Sequence, residues 1–254
     1  MSARARTGRK RRAKRTLRAR VGTYWILGTI VACAFAWGMW TLATLPAFRL
    51  HDLAVTGTSR VARADVVRLA AIDPHENVWL LDRGAIERRV ETIPFVLTAV
   101  VHRRPLGSVW LDVTERAPEA CVLDRSGNEA LVDVKLRVLS RACAGDANVT
   151  YAIRGTLNLR PGAFVRDPEV AALQSDAHAL SATGDRYRSF AHDGYGELEA
   201  VLPSGIEIRF GDDDDLARKQ RLIAPILAEV GPRLRTVRSV DVRAPSTPVV
   251  EFRK

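Results

Sequence analysis

From Val21 to Phe48 the chain carries no charged side chain, and Val21 to Leu45 within it is mostly apolar. As a helix rising about 1.5 Å per residue, such a segment is roughly 38 Å long, enough to cross a hydrocarbon core of about 30 Å with some tilt. Tyr24 and Trp25 stand near one end and Trp37 and Trp40 toward the other, as aromatic rings at membrane boundaries do. A single transmembrane helix at 21–45 is therefore expected. Residues 1–20 ahead of it hold ten Lys or Arg and no acid. By the positive-inside rule the N-terminus is cytoplasmic and residues 46–254 lie outside the cytoplasm.

Other readings of this segment are weaker. A cleaved signal peptide needs an apolar region of only about 7 to 15 residues before a small-residue cleavage site. Ile30-Val31-Ala32-Cys33 has the form of a lipoprotein cleavage box, yet the uncharged run continues through Leu45. Arg11-Arg12 lacks the rest of a twin-arginine signal and belongs to a solvated tail facing anionic lipid. Gly28, Ala32 and Ala36 form a small-residue stripe that would let another membrane helix approach.

The net charge of +10 belongs to the tail. Beyond it 29 basic residues face 29 acidic ones, so a basic nucleic-acid-binding domain is excluded. With 47% apolar and 27% charged residues the composition is globular. Of three cysteines, Cys33 falls in the span, while Cys121 and Cys143 fall in the exported part, where one disulfide and two isolated thiols are both open.

After the span the pattern is strand, helix, helix, strand, strand. A first strand is expected over Phe48–Leu50 and Leu53–Val55, a helix over Ala64–Ala71, and a second over Asp82–Val90 capped by Asp82 and ended by Pro94. Val96–Val101 and the alternating Val109–Val113 read as strands. Further on, Asp167-Pro168-Glu169 opens a helix through Leu180. Strands are expected at 187–191, 197–202 and 206–210, with Pro203-Ser204-Gly205 as a turn, then a helix from Leu216 to Glu229 stopped by Gly231-Pro232.

Val55-Thr56-Gly57, Asn77-Val78 with Leu81-Asp82, Ile93-Pro94-Phe95-Val96 with Ala99-Val100, Arg103 with Pro105, and Glu115-Arg116-Ala117-Pro118-Glu119-Ala120 fall in a recognisable order. This segment resembles the POTRA (polypeptide-transport-associated) domain of the FtsQ/DivIB cell-division family. The likeness continues through Ala130-Leu131-Val132-Asp133, with Leu136 where the family usually has glycine, and through Ile208-Arg209-Phe210-Gly211, Val240-Asp241-Val242-Arg243 and Val249-Val250-Glu251-Phe252. It implies an α+β fold: a basic tail (1–20), a transmembrane helix (21–45), a POTRA domain (46–116) and a mostly β domain with flanking helices (117–254).

Spacings for nucleophile, phosphate or zinc chemistry are missing: the sequence has no Gly-x-Ser-x-Gly, Ser-x-x-Lys or His-Glu-x-x-His. Asp212 to Asp215 lack the alternation of a calcium loop and suit a cap or acidic turn before the last helix. No enzyme, cofactor or metal is expected. The resemblance instead implies divisome membership at the septal cell membrane, with FtsB-like and FtsL-like proteins and other divisome membrane proteins as partners. It places partner binding on Arg243, Thr247, Val249, Val250, Glu251 and Phe252, with Ala244 where some members carry tyrosine. The alternatives are a POTRA anchor that handles extended polypeptides and an anchored cell-wall enzyme.

Overall fold

A computed structural model describes residues 25–41, 45–104, 107–147, 149–156, 160–181 and 186–253. The basic tail 1–20 lies outside the described residues, as do both ends of the expected span, 21–24 and 42–44. Residues 25–41 are helical (α1), and large apolar side chains such as Ile26, Val31, Phe35 and Met39 are exposed along it. Among the described residues no helix is long and apolar enough to cross a membrane.

The first folded unit begins with a 3-10 turn at Pro46–Phe48, so Phe48 is not in the expected strand; proline at the turn's start sets that geometry. Then come β1 (Asp52–Thr56), α2 (Arg63–Ala70), α3 (Arg83–Val90), β2 (Val96–Arg104) and β3 (Ser108–Glu115). The sheet order is β1-β3-β2, with β1 parallel and β2 antiparallel to the central β3. Val109, Leu111 and Val113 of β3 point into a core with Val66, Ile86 and Val90 of the helices, as alternation requires. Asp82 caps α3 by accepting from the Ala85 N–H at 3.0 Å. The outer edge of β2 is occupied: Ala99 donates its N–H to Glu91, the C-cap of α3, at 3.2 Å, and Val101 to Glu87 within α3 at 2.9 Å.

The second unit is one nine-stranded sheet. Its strands are β4 (Ala120–Leu123), β5 (Glu129–Val132), β6 (Val138–Ser140), β7 (Val149–Ala152), β8 (Ser189–His192), β9 (Leu198–Val201), β10 (Glu207–Gly211), β11 (Val237–Asp241) and β12 (Val249–Phe252). They stand in the order β12-β11-β10-β9-β8-β7-β4-β5-β6. Helices α4 (Pro168–Ser181) and α5 (Leu216–Val230) pack on it, burying Leu173, Leu180 and Ile223 with Phe190, Ile208, Phe210 and Val240. The α-helix stops at Val230, and Gly231–Thr236 continues as a 3-10 turn into β11. Asp215 stands at the N-cap of α5 in a left-handed conformation without a side-chain cap bond. The acidic turn acts instead through Asp212, which takes the buried Lys219 ammonium.

Three hairpins share one device. Asp124, Asp133 and Asp193 each accept, through Oδ1, the N–H groups two and four residues on, at 2.8 to 2.9 Å. The residue three positions on takes a left-handed backbone: Gly127, Leu136 and Gly196, at φ +83°, +57° and +88°. Such turns favour glycine there. At Leu136 the side chain compensates by entering the core, where it is 8% exposed.

Glu115 closes the first unit, and Arg116 beside it reaches the second. The Glu115 carboxylate collects the N–H groups of Ser59, Arg60 and Val61 and the Ser59 hydroxyl, at 2.6 to 3.0 Å. Arg116 donates to Val96 O at 3.0 Å and to Asp133 at 2.7 Å. Arg60 pairs with Asp146 at 3.0 Å, and Arg137 donates to Glu91 O at 3.3 Å. Cys121 and Cys143 are joined by a disulfide, with Cα atoms 5.7 Å apart, and Phe95 of the first unit packs against the cluster they form with Leu131 and Leu139.

Candidate interaction site at the terminal strand

Because β12 ends the nine-stranded sheet, its one strand neighbour among the described residues is β11. The other end is sheltered: Val138 N–H donates to Ala163 O at 2.8 Å and Gly162 N–H to Val138 O at 2.7 Å, so the 160–165 segment runs along β6. Among the described residues no strand and no side chain occupies the outer backbone edge of β12. The edge of β1 in the small sheet is likewise uncovered by a strand. An edge with free backbone groups is a template for strand addition.

The six residues expected to bind a partner divide into two groups. Arg243 and Glu251 are engaged within the molecule. Arg243 forks onto Asp241 at 2.7 to 3.1 Å and reaches Glu197 at 3.0 Å. These hydrogen bonds hold its guanidinium above the ordinary pKa. Burial pushes the Asp241 carboxyl up, but the bonds from Arg243 outweigh it and leave the pKa lowered. The stem of Arg243 crosses Gly211 so closely that a Cβ there would lie 2.8 Å from Cγ, and Gly211 has φ +77°. Glu251 accepts from the buried Ser239 hydroxyl at 2.8 Å and lies 3.7 Å from Arg209. Arg209 also faces Glu199 at 3.5 Å; burial raises the Glu199 pKa, against the lowering effect of Arg209.

The remaining four differ in exposure. Val250 is half-buried against the core, and Thr247 is exposed in the β11–β12 turn. Val249 and Phe252 are 55% and 41% exposed. Arg233 lies 5.4 Å over the Phe252 ring, and Leu234, 37% exposed, follows it in the same 3-10 turn. Sequence patterning did not mark Arg233, Leu234, Arg209 or Ser239. The antiparallel register that sets Ser239 opposite Glu251 and Val237 opposite Phe252, and the parallel pairing that sets Arg209 opposite Asp241, bring them to this edge.

Other clusters of reactive groups are tied into the framework. Cys121, Cys143 and Glu129 bring their ligand atoms within 4.8 Å of one another, but both sulfurs are in the disulfide and Glu129 accepts the Cys143 N–H. In the cleft between the units, Glu119 pairs with His178 at 2.9 Å. Burial, aided by Glu119, raises the Tyr151 pKa.

Comparison with known proteins places this architecture. The model for the POTRA domain, FtsQ-type, matches residues 48–116. Cell division protein FtsQ of Myxococcus fulvus is 30% identical over 232 residues, covering 87% of this chain and 77% of the relative. The chain belongs to the FtsQ family. FtsQ of Rhodothermus marinus is 28% identical over 214 residues, covering 77% of this chain and 72% of its own, and FtsQ of Syntrophotalea carbinolica is 26% identical over 236 residues, covering 89% and 81%. The three-stranded unit is thus the POTRA domain of an FtsQ-family protein, and the likeness to the Myxococcus fulvus relative, over 87% of the chain, reaches well beyond it.

Proposed function

We propose that this FtsQ-family protein is a non-catalytic divisome scaffold, anchored N-in through 21–45 and placed at the septal cell membrane. In this reading β12 captures an FtsB-like protein, with its FtsL-like companion, by strand addition. Other divisome membrane proteins meet it in the bilayer, so that it links early and late division proteins and helps regulate septal peptidoglycan synthesis. The observation that carries the reading is the uncovered edge of β12 beside the exposed Val249 and Phe252. Backbone pairing supplies affinity there and the flanking apolar side chains supply selectivity. A shared bilayer raises the effective concentration of partners also anchored in it.

The test is an N-terminal fluorescent fusion followed through the cell cycle, with depletion of the native protein in parallel. A midcell band with filamentation on depletion is the expected result. Uniform membrane signal and normal division would sink the divisome role and favour a POTRA anchor for extended polypeptides.

A further inference from the structure

The loop between α2 and α3 exposes two large apolar side chains that neither its turn nor the POTRA core uses. Trp79 is 48% and Leu80 66% exposed, although their neighbours Val78 and Leu81 are buried at 0% and 4%. Their exposure is built in. Asn77 accepts the Trp79 N–H through Oδ1 and the Leu80 N–H through its carbonyl, both at 2.9 Å. Arg103 donates to Trp79 O at 2.6 Å and to Leu81 O at 3.2 Å. Two buried anchors and a clamped backbone thus hold an indole and a leucine outward.

The same loop is stitched to the chain leaving the proposed span. Val78 N–H donates to Phe48 O at 2.9 Å, and Arg49 pairs with Asn77 in an antiparallel bridge. Phe48 lies three residues beyond Leu45, the last residue of that span, so at most about 11 Å of chain separates them. The headgroup layer of a bilayer is roughly 6 Å deep on each side. Trp79 and Leu80 are therefore tethered within side-chain reach of it, and indole rings favour that layer. Asp73 and Glu76 open the loop, so the attraction is apolar burial and not charge.

We infer that Trp79 and Leu80 insert into the headgroup layer on the outer face of the cell membrane, a second contact that fixes how the POTRA domain stands on the lipid. The inference rests on the reading of 21–45 as a span.

The test is 19F NMR of the full chain, labelled with 5-fluorotryptophan, in phosphatidylethanolamine–phosphatidylglycerol nanodiscs. Trp→Phe variants assign the lines of Trp25, Trp37, Trp40, Trp79 and Trp110. A lipid with a spin label near the headgroup should broaden the Trp79 line several-fold and leave Trp110 sharp, since Trp110 lies on the sheet face away from α2 and α3 and bonds to Thr56. Leu80→Glu should restore most of the Trp79 intensity without altering the Trp37 and Trp40 lines. A sharp Trp79 line beside broadened Trp37 and Trp40 lines overturns the lipid contact and leaves the loop to a protein partner. If labels at any depth leave Trp25, Trp37 and Trp40 sharp, the span reading fails first and this inference falls with it.

Discussion

Arg116 and Asp133 face each other at 2.7 Å across the joint between the POTRA domain and the large sheet, with their side chains only 11% and 4% exposed. Asp133 spends its other oxygen on the Lys135 and Arg137 N–H groups of its own hairpin, while Arg116 also holds Val96 O. One buried pair thus ties a turn of one domain to a strand of the other.

Removing one partner strands a buried charge, which typically costs about 3–5 kcal/mol. Arg116→Ala should lower stability toward the bottom of that range, since Asp133 keeps its backbone donors. Urea unfolding followed by fluorescence checks this; a loss within error would mean that water replaces the guanidinium.

Leu136→Gly sets two effects against each other. Glycine relieves a left-handed backbone worth about 1–2 kcal/mol, but deletes a buried leucine worth about 2–5 kcal/mol. The expected net result is destabilisation by roughly 1–3 kcal/mol. Thermal unfolding decides, and a stabilised variant would show that backbone strain outweighs packing at this turn.

The disulfide closes a separation of 22 residues, for which chain entropy assigns about 3 kcal/mol. A Cys121→Ser, Cys143→Ser double variant should unfold at lower denaturant, its unfolding free energy smaller by that amount. Hydrogen exchange should rise at 141–147 and around Phe95, which packs on the bridge. Unchanged exchange near Phe95 would separate the bridge from the domain joint.

Acid should loosen the POTRA domain at the loop that Glu115 gathers. Burial raises this carboxyl's pKa, but the bonds from Ser59, Val61 and Arg60 outweigh it and hold the group at about 2, below an ordinary 4.5. A depressed folded-state pKa gives stability that is complete above the unfolded value and is lost as pH falls from about 5 toward 2. In Glu115→Gln that part of the acid dependence should vanish. An identical pH profile would place the acid sensitivity elsewhere.

At the terminal strand, Arg243→Ala and Phe252→Ala should behave differently. Arg243 braces the β11–β12 turn from a half-exposed position, so its loss should lower stability only slightly. Phe252→Ala should leave unfolding nearly unchanged and weaken capture of an FtsB-like partner about tenfold or more, as loss of an aromatic anchor does. Normal capture by a folded Phe252→Ala protein would remove this residue from the interface.

The elements written in local pattern were legible from sequence: the alternating β3, the Asp82-capped α3, and the helix announced by Asp167-Pro168-Glu169 all formed. Strands β6 and β7 were not anticipated, since they are three and four residues long and β7 is set by parallel pairing with distant β4 and β8. β11 begins at Val237, ahead of the Val240–Arg243 segment that carries the resemblance, and the buried Ser239, whose hydroxyl donates to Glu251, interrupts its apolar alternation. Arg243 and Glu251, which the resemblance assigns to partner binding, also meet Asp241, Glu197 and Ser239 within the fold, contacts that no local pattern names.

The strands of the large sheet stand nearly in the order in which the chain makes them, for beyond the β4–β6 meander each of β7 to β12 lies one place further out. A chain delivered N-terminus first can lay every new strand on an edge that already exists, and the last one laid is the freshest template. A strand arriving from another molecule at β12 would be the next course in the same wall.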